Sequence, residues 1–142
     1  MLKMLIGVDG SQHAFHAIEA VARLARAAVT LDVVLLGVRD MPQLYGDLPT
    51  PSLQQIEDAL TRQQDQVLDA ALERARECGL TAVSTRRALG LAAPEIVRVA
   101  TEIGADQIVL GTRGMGALGS LFIGSVAQRV VHLAAVPVLL VK

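Results

Sequence analysis

Apolar residues in this chain follow two habits: short unbroken runs, and longer stretches in which they return every three or four positions. Residues 2–8 are a run without strict alternation, the signature of a strand buried on both faces of a parallel sheet. Ser11 then supplies a hydroxyl suited to an N-cap, and Ala14, Ile18, Val21, Ala25 and Ala28 fall on one stripe at helical spacing, which predicts a first helix. Residues 31–38 are again aliphatic and β-branched, a second strand, and the Pro- and Gly-punctuated stretch 39–50 reads as a surface loop. Ser52, with Gln55 at capping-box spacing, opens a long helix. Leu53, Ile56, Leu60, Val67, Ala71, Ala75 and Cys78 mark its apolar face, and Gly79 ends it. Residues 81–89 alternate loosely as a third strand. Pro94 opens a helix along Ile96, Val99, Ala100 and Ile103 that stops at Gly104. Residues 106–110 are the fourth strand, residues 125–134 a last helix with Val126, Val130 and Leu133 on one face, and residues 136–141 a fifth strand.

Strict alternation of strand and helix predicts an α/β fold: a single open five-stranded parallel sheet in a three-layer α/β/α sandwich with right-handed crossovers. Ligands of such sheets sit at the carboxyl ends of the strands where the strand order reverses. That rule draws attention to Asp9, Arg39, Gly90 and Gly111.

A length of 142 residues suits one domain spanning residues 1–142. The net charge of -1 and an aromatic content of 2% give neither a basic field nor stacking platforms, so nucleic acid is not expected as a partner. Cys78 is the only cysteine, which excludes an intramolecular disulfide and fits a reducing compartment. The run at residues 4–8 is cut off by Asp9, and no other approaches the ~20 apolar residues of a membrane helix. No membrane partner, no export signal and a cytoplasmic location are expected.

The chemistry concentrates in Gly111-Thr112-Arg113-Gly114, followed after nine residues by Gly124-Ser125, between the fourth strand and the last helix. Glycines there can adopt positive φ and admit a phosphate closely, while successive amides curl into an anion-binding nest. Gly124 and Ser125 stand where a helix begins, and its free N–H groups and dipole favour an anion. The same glycines, with Gly116 and Gly119, also suit a plain connection and a helix cap. There is no Gly-Lys-Ser/Thr ending, so this is not a Walker A loop. The dinucleotide fingerprint would need closer glycines after the first strand.

Gly, two residues, Gly, nine residues, then Gly-Ser resembles the ATP-binding members of the universal stress protein family. The resemblance extends to Ile6-Gly7-Val8-Asp9-Gly10-Ser11, Leu35-Leu36-Gly37-Val38, Gly90 and Val136-Pro137-Val138-Leu139-Leu140-Val141, nearly the whole chain. It implies an adenine nucleotide alpha hydrolase-like, Rossmann-like fold with ATP as ligand, accompanied by Mg2+ or Mn2+. In that frame Asp9 lies beside the adenosine and Val38 meets the adenine through its backbone. Gly111, Thr112, Gly114, Gly124 and Ser125 belong to the ribose and phosphate cradle, and Arg113 can swing onto the phosphates. A helix-capping role for Asp9 and simple strand burial for Val38 remain open readings of the same residues. The resemblance further implies a homodimer through the terminal strand, residues 136–141, whose apolar faces and bare edge would invite pairing.

His13, His16 and Glu19 fall at three-residue steps on the first helix, but Glu19 also precedes Arg23 by four, the spacing of an ordinary ion pair on a solvated face. No metal site is assigned to them. His132 suits a helix C-terminus, and Cys78 a packed position. No nucleophile and base stand together, and the histidines lie far in sequence from the glycine-rich loop, so at most weak ATP hydrolysis is expected. The implied activity is that of a nucleotide-dependent sensor or regulator in the stress response, against the alternatives of a slow ATPase or a nucleotide-free interaction module. No regulatory protein partner can be named.

Overall fold

The computed structural model of the chain describes residues 1–27, 30–41, 46, 50–113 and 123–142. Five strands and four helices alternate: β1 (Leu2–Gly7), α1 (Gln12–Arg26), β2 (Leu31–Arg39), α2 (Thr50–Glu77), β3 (Val83–Leu89), α3 (Ala92–Ile103), β4 (Gln107–Gly111), α4 (Ser125–Leu133) and β5 (Val138–Val141). The strands form one parallel sheet in the order β3-β2-β1-β4-β5, so the direction of travel reverses after β3. With right-handed crossovers, that reversal sends the first two helices to one face and the last two to the other.

Burial follows this division. On one face, Ile6, Val33, Leu35 and Val109 of the sheet pack with Ala17, Ile18 and Val21 of α1 and Leu68, Ala71 and Ala75 of α2. On the other, Leu5, Leu36, Ile108 and Leu110 pack with Ile96, Val99 and Ala100 of α3 and Ala127 and Val130 of α4. The central strands are apolar at consecutive positions because both faces are covered. β5, at the sheet edge, feeds both cores: Leu139 and Val141 join the first, Val138 and Leu140 the second.

Several boundaries and faces differ from the sequence expectation. Pro94 is the third residue of α3 rather than its opening, which the helix tolerates because an N–H in the first turn has no intrahelical acceptor. β5 begins at Val138, although the Pro137 carbonyl already accepts from Ile108 N–H. On α4 the buried residues are Ala127 and Val130, whereas Val126 and Leu133 are 41% and 46% exposed. The helix lies close to the sheet on its small residues, and this turns the larger side chains outward. On α2 the fully buried residues are Leu68, Ala71 and Ala75, all in its second half. Its first half overhangs the sheet, because Gln64 already reaches the carbonyls of Gly37 and Ala88 at the ends of β2 and β3. The expected loop at residues 39–50 begins after Arg39, which closes β2, and ends before Thr50, which opens α2. Ala28 of the predicted α1 stripe lies outside the described residues.

Candidate functional site

The strand order reverses between β1 and β4, and there the two strands part at their carboxyl ends. Their register runs only to the pair Ile6 and Val109. β2 continues past β1 on the other side. The Leu36 carbonyl accepts from Val8 N–H, and the Arg39 carbonyl accepts from Gly90 N–H beyond β3. Backbone groups of successive strand residues address opposite neighbours, so the N–H and C=O of Val38 face the side where β1 has already turned away. Among the described residues no backbone hydrogen bond engages either. A donor and an acceptor therefore stand side by side at one wall of the cleft.

The opposite wall is the end of β4. A side chain on Gly111 would place its Cβ 2.6 Å from the Cβ of His13 and 2.7 and 2.8 Å from that residue's backbone C and O. The first turn of α1 thus lies directly against β4, and only glycine leaves room. Gly111 and Gly124 do not occupy the left-handed region that the sequence reading invoked for them: the positive-φ glycines are elsewhere, and Gly124 has φ -60. The requirement at Gly111 is close approach. A milder version holds on β1, where a Cβ at Gly7 would come within 2.6 Å of Leu110 Cδ2, the movable end of a side chain.

Two helices start in this cleft. α1 carries a side-chain cap: Ser11 Oγ accepts from Ala14 N–H at 3.2 Å, and Asp9 Oδ1 accepts from Ser11 N–H at 2.9 Å. α4 starts at Gly124 with no side-chain cap. Gly124 N–H donates to the Thr112 carbonyl at 2.6 Å and the Gly124 carbonyl accepts from Gln128 N–H, but among the described residues no acceptor meets the N–H groups of Ser125, Val126 or Ala127. Those amides, with the positive end of the helix dipole, are donors of the kind that suits an anion. Thr112 N–H in turn donates to the Val141 carbonyl, so the end of β4 is tied to β5 and to the start of α4 at once.

Of the residues marked by the sequence, Asp9, Val38, Gly111, Thr112, Arg113, Gly124 and Ser125 all stand at this carboxyl edge, and Gly114 lies outside the described residues. Asp9 takes part in the turn into α1, and Val38 is also packed against the α3 and α4 core, so the structural readings of both hold. The separation of histidines from the glycine-rich loop is corrected: folding brings His13 onto Gly111, and the rings of His13 and His16 meet edge to face at 5.8 Å. Glu19 pairs with Arg74 of α2 in place of the expected Arg23, and hydrogen bonding to that guanidinium holds its carboxyl below the usual range.

Sequence reasoning flagged Arg39 only by its strand-end position and passed over Glu57 and Gln64. Arg39 Nη2 donates to Glu57 Oε2 of α2 at 2.7 Å. Two buried side-chain nitrogens lack a hydrogen-bond partner among the described residues, His13 Nδ1 and Arg39 Nη1. Buried polar atoms in folded proteins are rarely left so. Both belong to residues at the carboxyl edge, one beside β4 and one at the end of β2.

Comparison with known proteins agrees with this layout. The family model described as "Universal stress protein family" matches residues 1–142. A protein from Thermus aquaticus described as "Universal stress protein in QAH/OAS sulfhydrylase 3'region" is 38% identical over 142 residues, covering 98% of this chain and 97% of its own. Among solved structures, "Universal stress protein UspA from Lactobacillus plantarum" superposes with a TM-score of 0.82 at 23% identity, covering 99% of this chain and 97% of that one. A structure described as "universal stress protein in complex with cAMP" superposes with a TM-score of 0.70 at 23% identity, covering 99% and 96%.

Proposed function

The chain belongs to the universal stress protein family, and from that premise we propose that it binds ATP across the cleft between Val38 and the start of α4 and acts as a nucleotide-dependent sensor or regulator in the stress response. The observation that carries this reading is the uncapped α4 N-terminus facing the same cleft as the unpaired Val38 backbone. A donor beside an acceptor suits the edge of a purine base, and three free amides on a helix dipole suit its phosphates. The complex with cAMP in a relative of the same fold supports an adenine nucleotide as the ligand class. Asp9 lies next to the β1 end where the sugar would sit, while Thr112, Arg113, Gly114, Gly124 and Ser125 would hold the phosphate tail. Mg2+ or Mn2+ would ride on the phosphates, with the Ser125 hydroxyl as an available oxygen ligand.

Isothermal titration with ATP, ADP, AMP and cyclic AMP, with and without Mg2+, tests this reading. One ATP per chain is expected, bound more tightly than AMP. No heat from any of the four would overturn the proposal. We further place the protein in the cytoplasm as a single-domain homodimer joined through β5. The half-buried residues of that edge strand would complete their burial against a second copy. Among the described residues, no helix is long and apolar enough to cross a membrane. A monomeric mass in solution at micromolar concentration would remove the dimer. His13 against Gly111 favours slow ATP hydrolysis as a second reading, and phosphate release no faster than in a protein-free control would dismiss it.

A further inference from the structure

Arg39 is a charged residue whose position the phosphate cradle does not explain. It ends β2 one residue beyond Val38, on the face shared with α1 and α2, and its side chain is 17% exposed. Half of its guanidinium is committed: Nη2 is held by Glu57 at 2.7 Å. The other terminal nitrogen, Nη1, is buried with no partner among the described residues. Gln64, two turns beyond Glu57 on α2, ties the same helix to the carbonyls of Gly37 and Ala88. Glu57 and Gln64 thus fix the overhanging part of α2 against the end of β2. The guanidinium is braced in place, and its rotamer is set before any ligand arrives.

An unsatisfied, buried, pre-oriented cationic donor is costly unless something completes it. The adjacent residue, Val38, carries a backbone N–H and C=O that no backbone hydrogen bond engages among the described residues. A purine docked by its amino-pyrimidine edge on the Val38 N–H and C=O retains two ring acceptors, N3 and N7. We propose that Arg39 is a base-reading residue that donates from Nη1 to one of these nitrogens, with Glu57 as the positioning residue that holds the guanidinium for it. The inference rests on the purine-nucleotide reading above and deepens it: the pocket selects its base through a side chain as well as through the β2 backbone.

Titration of the full chain with ATP, 7-deaza-ATP and 3-deaza-ATP, in the wild type, Arg39→Ala and Glu57→Gln, tests it. Loss of one charge-assisted hydrogen bond predicts roughly tenfold weaker ATP binding by Arg39→Ala. In the wild type, one of the two deaza analogues should bind weaker than ATP by a similar factor, and Arg39→Ala should add no further loss for that analogue. Glu57 is 43% exposed, so Glu57→Gln should fold normally and show the same analogue pattern at smaller amplitude. This keeps the test decisive if Arg39→Ala does not fold. Unchanged ATP affinity in the variants, or equal losses for ATP and both analogues, overturns the role of Arg39 alone. Failure of the wild type to bind any of the three overturns the nucleotide reading with it.

Discussion

α1 and α4 begin in the same cleft and meet it in opposite ways. The first turn of α1 is capped by Ser11, itself held by Asp9, and is pressed so closely onto β4 that Gly111 cannot carry a side chain. The first turn of α4 has a glycine for its cap and no internal acceptor among the described residues for three of its amides. One helix start is framework, and the other is the proposed receptacle. In the proposed reading a helix start becomes a binding site by going without the side-chain cap that its neighbour carries.

Breaking the framework should have the largest effect. Gly111→Ala drives a methyl group into the backbone of His13, which cannot yield as a side chain end can. We expect about 3 kcal/mol of destabilisation in urea unfolding and more than about tenfold loss of ATP affinity, because both walls of the cleft shift. Gly7→Ala meets only the Leu110 Cδ2 methyl and should cost about 1 kcal/mol by the same measurement.

The two helix starts can then be set directly against each other. Ser11→Ala removes a buried cap and should lower stability by about 1 kcal/mol, or roughly 3–5 °C in Tm, while ATP affinity changes little. Ser125→Ala should do the reverse, leaving Tm within about 1 °C and weakening ATP binding several-fold as a phosphate donor is lost. If both variants shifted stability alone, the contrast would collapse.

The smallest effect concerns the outer faces of the framework. Hydrogen bonding to Arg74 depresses the Glu19 carboxyl below its ordinary 4.5. A carboxyl whose folded pKa is lowered adds stability above its unfolded value, and that contribution fades as pH falls through the folded value. Glu19→Gln should therefore lower Tm by about 1–2 °C at pH 7, with the difference from wild type shrinking as the pH is taken down into the acid range, as a series of thermal scans would show.

Most of the framework could be read from the sequence because it depends on local patterns. Apolar runs marked four of the strands and loose alternation the third, Ser11 marked the start of α1, and Gly104 its counterpart at the end of α3. The spacing of Gly111, Gly114 and Gly124 drew attention to the proposed receptacle, although the physical reason at Gly111 proved to be close packing rather than left-handed backbone. What escaped notice was long-range. His13 and Gly111 are 98 positions apart and meet only once β1 and β4 lie side by side. Arg39 and Glu57 are separated by 18 positions and joined only because α2 overhangs the sheet. The exposed face of α4 was misassigned because Val126 and Leu133 outrank Ala127 in hydrophobicity, whereas the sheet accepted the smaller residue.

The 2.6 Å bond from Gly124 N–H to the Thr112 carbonyl has a consequence for how this architecture can be altered. It works like the clasp of a necklace: the chain departs and returns at one point, so the number of beads strung beyond it is of little concern to the sheet. New sequence, from a reporter peptide to a recognition motif, can be threaded there while the sheet beneath keeps its shape.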